Sequence, residues 1–301
     1  MKKIILIFTI AIAIFSCKNE KQTNGKLNIV TTTSMITDLV KNIGSEHINL
    51  QGLMGSGVDP HLYKASEGDV TKLSSADIIF YNGLHLEGKL VEVFEKMKNI
   101  KTIAIGDALD KNTLIGSDYF ASNYDPHIWF NIDYWMQATQ FVTKKLSEAI
   151  PEHKAVFEAN GAAYTKQLES LKTKLTATIE TLPKEQRILV TAHDAFNYFG
   201  KAFNFEVVGL QGLSTATEAG VQDVQKLSAF IIEKKVKAIF IESSVPKRTI
   251  EALQAAVNSK GHNVIIGGSL YSDALGNAGT IEGTYIGMFE YNVNTIVNAL
   301  K

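Results

Sequence analysis

Two tripeptides in this chain repeat, and each ends in a side chain that can hold a metal: Asp59-Pro60-His61 and Asp125-Pro126-His127. Each continues with an aliphatic and then an aromatic residue, Leu62-Tyr63 and Ile128-Trp129. Proline fixes its own φ and restricts the residue before it, so each histidine is predicted on a stiff loop. A stiff loop suits a ligand that must be placed within tenths of an ångström. Two further candidates follow apolar runs. His193 comes straight after residues 187–191 (RILVT), and Asp273 comes after residues 263–266 (NVII) and a glycine pair. All four are expected on loops near strand ends, two in each half of the chain.

Three imidazoles and one carboxylate suit a borderline divalent cation such as zinc, and the hard carboxylate keeps manganese open. The single cysteine, Cys17, leaves no thiolate cluster for copper(I) or a cysteine–zinc site. The plainer reading is that these are ordinary surface or core residues among the 7 histidines of the chain. His85, in the loop after residues 76–81, is a further candidate on position alone. A ligating imidazole usually gives its other N–H to a carboxylate or carbonyl. Asp59, Asp125, Asp194 and Glu242 are the carboxylates close enough in sequence or strand position to serve, or else they are solvated or capping groups.

One motif is a decoy. Residues 83–90 (GLHLEGKL) nearly match the phosphate-binding G-x-x-x-x-G-K-[ST] loop and follow a strand-like run. That loop needs a hydroxyl at its last position for magnesium. Leu90 supplies none, and Glu87 would repel phosphate.

The elements that must position the candidates are read from apolar runs and their spacing. Residues 27–31, 76–81 and 101–105 are strand-like, with helical patterns at 35–43 and 91–97 between them. A second set has strands at 187–191, 237–242 and 263–266 and helices at 195–201, 248–258 and 285–300. Alternation of this kind predicts βα units and parallel sheets. Between the sets, Phe157, Tyr164, Leu168, Leu171, Leu175, Ile179 and Leu182 fall at helical spacing, bounded by Pro151 and Pro183. The fold class is therefore α/β: two parallel-sheet lobes, 27–150 and 184–301, joined by one long helix within 151–183. Ligands of parallel sheets bind at strand carboxyl ends, which places the metal site in the cleft between the lobes. The lobe openings IVTTTSMITDLV (29–40) and LVTAHDAFNYFG (189–200) are alike, through duplication or a convergent strand–loop–helix pattern.

Composition agrees with a globular body: 45% hydrophobic, 20% charged and a formal charge of −1. No basic run marks a nucleic-acid surface, and no nucleic-acid partner is expected. The first residues read differently. Lys2 and Lys3 precede an apolar run at 4–14, which is shorter than the roughly 20 residues a spanning helix needs. This is a signal peptide over 1–16, and Ile14-Phe15-Ser16-Cys17 resembles a lipobox, with Cys17 the lipidated residue. Phe15 is bulkier than usual there, and an ordinary signal peptide with a chance cysteine is the other reading. Residues 17–26 are then a lipidated cysteine and a flexible tether.

Taken together, VDPHLYKAS (58–66), ADIIFYNGLHLE (76–87), DPHIWF (125–130), TAHDAFNYFG (191–200), IESSVP (241–246) and GGSLYSDALG (267–276) resemble the substrate-binding lipoproteins of zinc and manganese ABC importers. The resemblance spans residues 27–301. It implies a monomeric, extracytoplasmic, lipid-anchored protein, not an enzyme, that delivers metal to a membrane permease driven by a separate ATPase subunit. It implies His61, His127, His193 and Asp273 as the ligands; at the third position other members carry glutamate. Residues 106–124 lack the histidine-rich loop of many zinc-specific members, while a histidine at 193 leans towards zinc, which also outcompetes manganese for nitrogen ligands. Zinc is favoured and manganese stays open.

The rivals are a zinc-dependent hydrolase and an adhesin with a structural metal. A catalytic zinc usually keeps an open position, whereas four side chains would fill this site, and the chain has no H-E-x-x-H. A metal joining both lobes would stabilise a closed arrangement, with the long helix resisting wide hinge motion.

Overall fold

A computed structural model of the protein describes residues 25–97, 100–117 and 123–301. The expected signal peptide, Cys17 and most of the tether lie outside the described residues.

The first half runs β1 (Asn28–Thr31), α1 (Ser34–Gly44), β2 (Asn49–Gly52), α2 (Glu67–Ser75), β3 (Ile78–Tyr81), α3 (Val91–Lys96), β4 (Lys101–Ala104) and α4 (Ile132–Ala149). Its four strands are parallel in the order β2-β1-β3-β4, with Ile29 of β1 set between Leu50 and Ile78. Ile29, Val30, Ile79 and Phe80 are buried, as expected of central parallel strands covered on both faces.

After α5 (Lys154–Glu180), the second half runs β5 (Ile188–His193), α6 (Asn197–Phe203), β6 (Glu206–Gln211), α7 (Val221–Lys234), β7 (Ala238–Glu242), α8 (Arg248–Asn258), β8 (Ile265–Leu270) and α9 (Tyr285–Leu300). β5 pairs with β6 and β7 with β8, both parallel, and β5 lies against β7. The architecture is the expected one: mixed α/β with parallel sheets and a single long helix between the halves.

That helix, α5, has 27 residues, hence a length of about 40 Å. Phe157, Tyr164, Leu168, Leu171, Leu175 and Ile179 form its buried stripe. It packs on α1 and α4 from the first half and on α9 from the second. Gly161 has a definite reason to be glycine: a Cβ there would lie 2.3 Å from Thr143 Oγ1, so its absence lets α4 and α5 approach. The two halves share one continuous core. Phe130 packs on Phe196 with tilted rings, 4.3 Å between centroids, and meets Phe289 edge-on at 5.9 Å. Each such ring contributes roughly 1.5–3 kcal/mol by leaving water.

Two local expectations are corrected. His193 is not on a loop after the strand: the ladder continues to a His193–Gln211 pairing, so the histidine is the last residue of β5. The pair Gly267-Gly268 is likewise inside β8, not after it. A Cβ on Gly267 would come within 2.6 Å of Ala299 and 2.8 Å of Phe240, so glycine allows α9 to settle on the sheet.

Candidate metal centre

The four side chains singled out by type and spacing meet at the seam between the halves. One donor atom from each of His61, His127, His193 and Asp273 lies within 4.8 Å of the other three, and all four residues are buried. His61 sits in the turns that follow β2, where Asp59 Oδ1 accepts its backbone N–H at 2.8 Å. His127 precedes a 3₁₀ turn at Ile128–Phe130. Asp125 Oδ1 accepts its backbone N–H at 2.9 Å and faces its ring Nδ1 at 2.7 Å. His193 closes β5, and Glu242 closes the neighbouring β7. Glu242 Oε1 accepts the His193 backbone N–H at 2.9 Å, and Oε2 meets ring Nδ1 at 2.6 Å. Asp273 follows β8 by three residues, in a loop held by Trp129 Nε1 donating to the Ser272 carbonyl at 3.0 Å.

With carboxylates on Nδ1 of His127 and His193, the Nε2 atoms point at the centre. His61 Nε2 and His127 Nε2 are 3.3 Å apart. Asp273 Oδ2 is 3.2 Å from His193 Nε2 and 4.0 Å from His61 Nε2, while Oδ1 is 3.6 Å from His127 Nε2. A tetrahedron with zinc-to-nitrogen bonds of 2.0–2.1 Å has edges of about 3.3 Å, so these separations have the size of a filled coordination shell. His193 Nε2 and both Asp273 oxygens are buried and make no hydrogen bond among the described residues. Buried polar atoms are nearly always satisfied, and a cation at the centre would satisfy all three at once. Both Asp273 oxygens turn inward, so the carboxylate can bind through one oxygen or two.

The charges are balanced for such a guest. Burial holds the His61 imidazole neutral by pushing its pKa down to about 3. Burial opposes ionisation of Asp273, but His193, His127 and His61 outweigh it and hold the carboxyl well below the usual carboxylate range. Burial likewise opposes a charge on His193, yet the Glu242 and Asp273 carboxylates outweigh it and raise that pKa well above the ordinary histidine value. An imidazole binds a cation only in its neutral form, so a proton and a metal would compete for His193.

The remaining candidates separate. Asp125 and Glu242 touch the rings of His127 and His193. Asp59 holds the His61 backbone through one oxygen and accepts from the Thr215 hydroxyl, at 2.5 Å, through the other. Its pKa is raised by burial and by the nearby Asp273 charge. Asp194 accepts the Gly209 backbone N–H at 2.7 Å, and burial raises its pKa. His85 is exposed and outside the group of four, on a run of left-handed residues: Gly83 (φ 77), Leu84 (φ 51) and His85 (φ 62). In the decoy loop, buried Glu87 accepts the Thr32 hydroxyl at 2.6 Å and the amides of Asn82 and Gly83 at 2.7 and 3.2 Å. The carboxylate occupies the amides at the entrance to the loop. Sequence reading misses Thr215 and Asn197. Asn197 Nδ2 donates to Asp125 Oδ2 at 3.1 Å from 72 residues away, and Thr215 reaches Asp59 across 156 residues. No local pattern marks either one.

Two α/β halves, one bridging helix and a buried three-histidine, one-aspartate group suited to a metal define the class of a two-lobed metal-binding protein. The chain belongs to the family described as zinc-uptake complex component A, periplasmic, whose model matches residues 29–299. It is 47% identical over 282 residues to the manganese-binding lipoprotein MntA of Bacillus subtilis (strain 168), covering 93% of this chain and 92% of that one. It is 48% identical over 278 residues to the zinc-binding protein TroA of Treponema pallidum (strain Nichols), covering 92% and 90%. The solved structure of the periplasmic zinc binding protein TroA from Treponema pallidum superposes with a TM-score of 0.89, covering 92% of this chain and 99% of that one. The manganese-bound periplasmic metal binding protein from candidatus liberibacter asiaticus gives 0.79 at 25% identity, covering 91% and 100%. No helix among the described residues is long and apolar enough to cross a membrane.

Proposed function

We propose that this protein is the extracytoplasmic metal-capturing component of an ABC importer for zinc or manganese. His61, His127, His193 and Asp273 bind the ion as cargo, and Asp125 and Glu242 orient two of the imidazoles. The observation that carries this reading is the convergence of four buried donors at coordination-shell separations, with His193 Nε2 and both Asp273 oxygens making no hydrogen bond among the described residues. Lobes 27–150 and 184–301 supply two ligands each, on either side of the helix within 151–183. A signal peptide over 1–16, a lipid on Cys17 and the tether to residue 26 hold the monomeric body at a membrane, where a permease with a separate ATPase subunit receives the ion. Four side chains fill the shell, leaving no open position for an activated water, so the protein is a carrier and not an enzyme.

Two relatives named for different metals stand at nearly equal identity, 47% for manganese-binding and 48% for zinc-binding. The donor set favours zinc, because three imidazole nitrogens bind it more tightly than manganese. A carboxylate able to bind through two oxygens keeps manganese open. The test is competition. The body from residue 25 onward is stripped with chelator, dialysed against equal buffered free zinc and manganese, and its bound metal counted by mass spectrometry. One equivalent of zinc supports the favoured reading. One equivalent of manganese shows that the cavity overrides the intrinsic order. No stoichiometric metal overturns the site.

A further inference from the structure

The four ligand segments are not equally tied down. The His127 segment is fastened to the second half many times. Asn197 donates to Asp125 Oδ2 at 3.1 Å, Tyr198 donates to the Asp125 carbonyl at 3.0 Å, Trp129 donates to the Ser272 carbonyl at 3.0 Å, and Tyr285 donates to the Trp129 carbonyl at 2.7 Å. Residues 125–130 are all buried. The Asp273 segment is fastened back to the first half by Ser34, whose hydroxyl accepts the Leu275 N–H at 2.8 Å.

The His61 segment is held differently. It leaves β2, whose residues are half-buried or exposed, and passes through exposed Gly55, Ser56 and Gly57. Leu62, next to the ligand, is 44% exposed. Across the seam lies another irregular stretch, residues 212–220, where Gly212, Ala216, Thr217 and Glu218 are exposed. Buried Gln211 braces this stretch through Nε2 donating to the Thr217 carbonyl at 3.1 Å. The stretch presents Thr215, itself buried, so that its hydroxyl donates to Asp59 Oδ2 at 2.5 Å while Asp59 Oδ1 holds the His61 N–H. A hydroxyl of the second half thereby positions a ligand of the first. His61 is also the most exposed of the four, at 6%, against 0% for His127 and His193 and 1% for Asp273.

We infer that Thr215 is the positioning residue of a latch: its bond to Asp59 closes the His61 segment over the metal, and the ion enters and leaves when that bond breaks and His61 withdraws before the other three ligands. This rests on the assignment of the four side chains as ligands. His127, His193 and Asp273 stay in place as a fixed cradle while the seam between 54–64 and 212–220 opens. The device needs no rotation of the halves, in keeping with their shared core and bridging helix.

The test uses the full chain loaded with one equivalent of zinc and chased with excess chelator. Thr215→Val keeps the shape and removes the hydroxyl; Thr215→Ser keeps the hydroxyl. Losing a hydrogen bond to a carboxylate accelerates zinc release about tenfold or more in Thr215→Val, while Thr215→Ser releases at the parental rate. Metal-free Thr215→Val keeps the parental fold by circular dichroism, with a melting temperature lowered by the lost hydrogen bond, while Thr215→Ser melts with the parent. Parental release from Thr215→Val, or equally fast release from Thr215→Ser, overturns the latch. Should Thr215→Val not fold, Thr215→Ala is measured with the same two outcomes. A parent chain that holds no zinc overturns the site and the latch with it, whereas a parent that holds zinc and is indifferent to residue 215 overturns the latch alone.

Discussion

In Asp125-Pro126-His127 one carboxylate oxygen serves both the backbone N–H and the ring Nδ1 of the histidine, and the whole segment is buried beneath side chains of the second half. In Asp59-Pro60-His61 the matching oxygen serves the backbone N–H, the other oxygen goes to Thr215, and the loop borders solvent. The tripeptide is the same. In both cases proline and the aspartate fix where the histidine leaves the chain. What differs is the surface the loop docks on, and that surface decides whether the aspartate orients a ring or fastens a loop. One repeated motif thus sits once in a wholly buried segment and once in a segment bordering solvent.

The largest expected effect removes the histidine of the buried segment. His127→Ala weakens zinc binding by more than the roughly 100-fold that bounds the loss of a supporting group, with the metal-free fold intact by circular dichroism. Unchanged affinity in a chelator competition would sink the assignment. Next comes the pair of aspartates. Asp125→Asn costs about 10- to 100-fold in equilibrium affinity, because the ring loses its carboxylate partner, whereas Asp59→Asn costs less than about tenfold. Equal losses in the two variants would erase the contrast drawn between the motifs.

Acid sharpens the contrast further. His61 has a folded pKa of about 3 against 6.5 when unfolded, so between these values the unfolded chain binds one more proton. Its contribution to stability is complete above pH 6.5 and declines as pH falls, at about 1.4 kcal/mol per pH unit. His193 has the opposite sign: its raised pKa contributes stability that is fully present below 6.5 and is lost as pH rises through the folded value. In denaturant titrations of metal-free protein from about pH 6.5 to about pH 4, His61→Ala therefore shows a shallower decline than the parent. A parallel decline would show that His61 does not carry this dependence. A last effect concerns metal binding near neutral pH. Proton and metal compete for His193, whose pKa is raised by the Glu242 and Asp273 carboxylates against its burial, so zinc affinity falls on acidification, and calorimetry in buffers of different ionisation enthalpy reads proton release on zinc binding.

Much of this molecule is legible from residue types and spacing. The α8 and α9 boundaries expected at 248–258 and 285–300 are those observed, because both helices have clear apolar periodicity. β2 gives no such signal: Asn49-Leu50-Gln51-Gly52 is an edge strand with one apolar residue, and it becomes a strand through its parallel pairing to β1. The end of β5 at His193 is similarly hidden, since the ladder there depends on β6 residues that sequence reading does not assign as a strand.

The sequence by itself determined the donor chemistry, the φ restriction at the two Asp-Pro-His tripeptides, the α/β alternation and the stripe that makes α5 one long helix. These properties are local: they depend on side-chain type, on φ restriction and on periodicities of about two and 3.6 residues. Only the tertiary structure decided which carboxylate stands behind which imidazole, and that Thr215 and Asn197 reach the two motif aspartates from the other half. It also decided that both Asp273 oxygens make no hydrogen bond among the described residues. Those outcomes depend on how two sheets and one helix pack, and hydrogen bonds between residues 72 and 156 positions apart leave no trace in the local pattern of either partner.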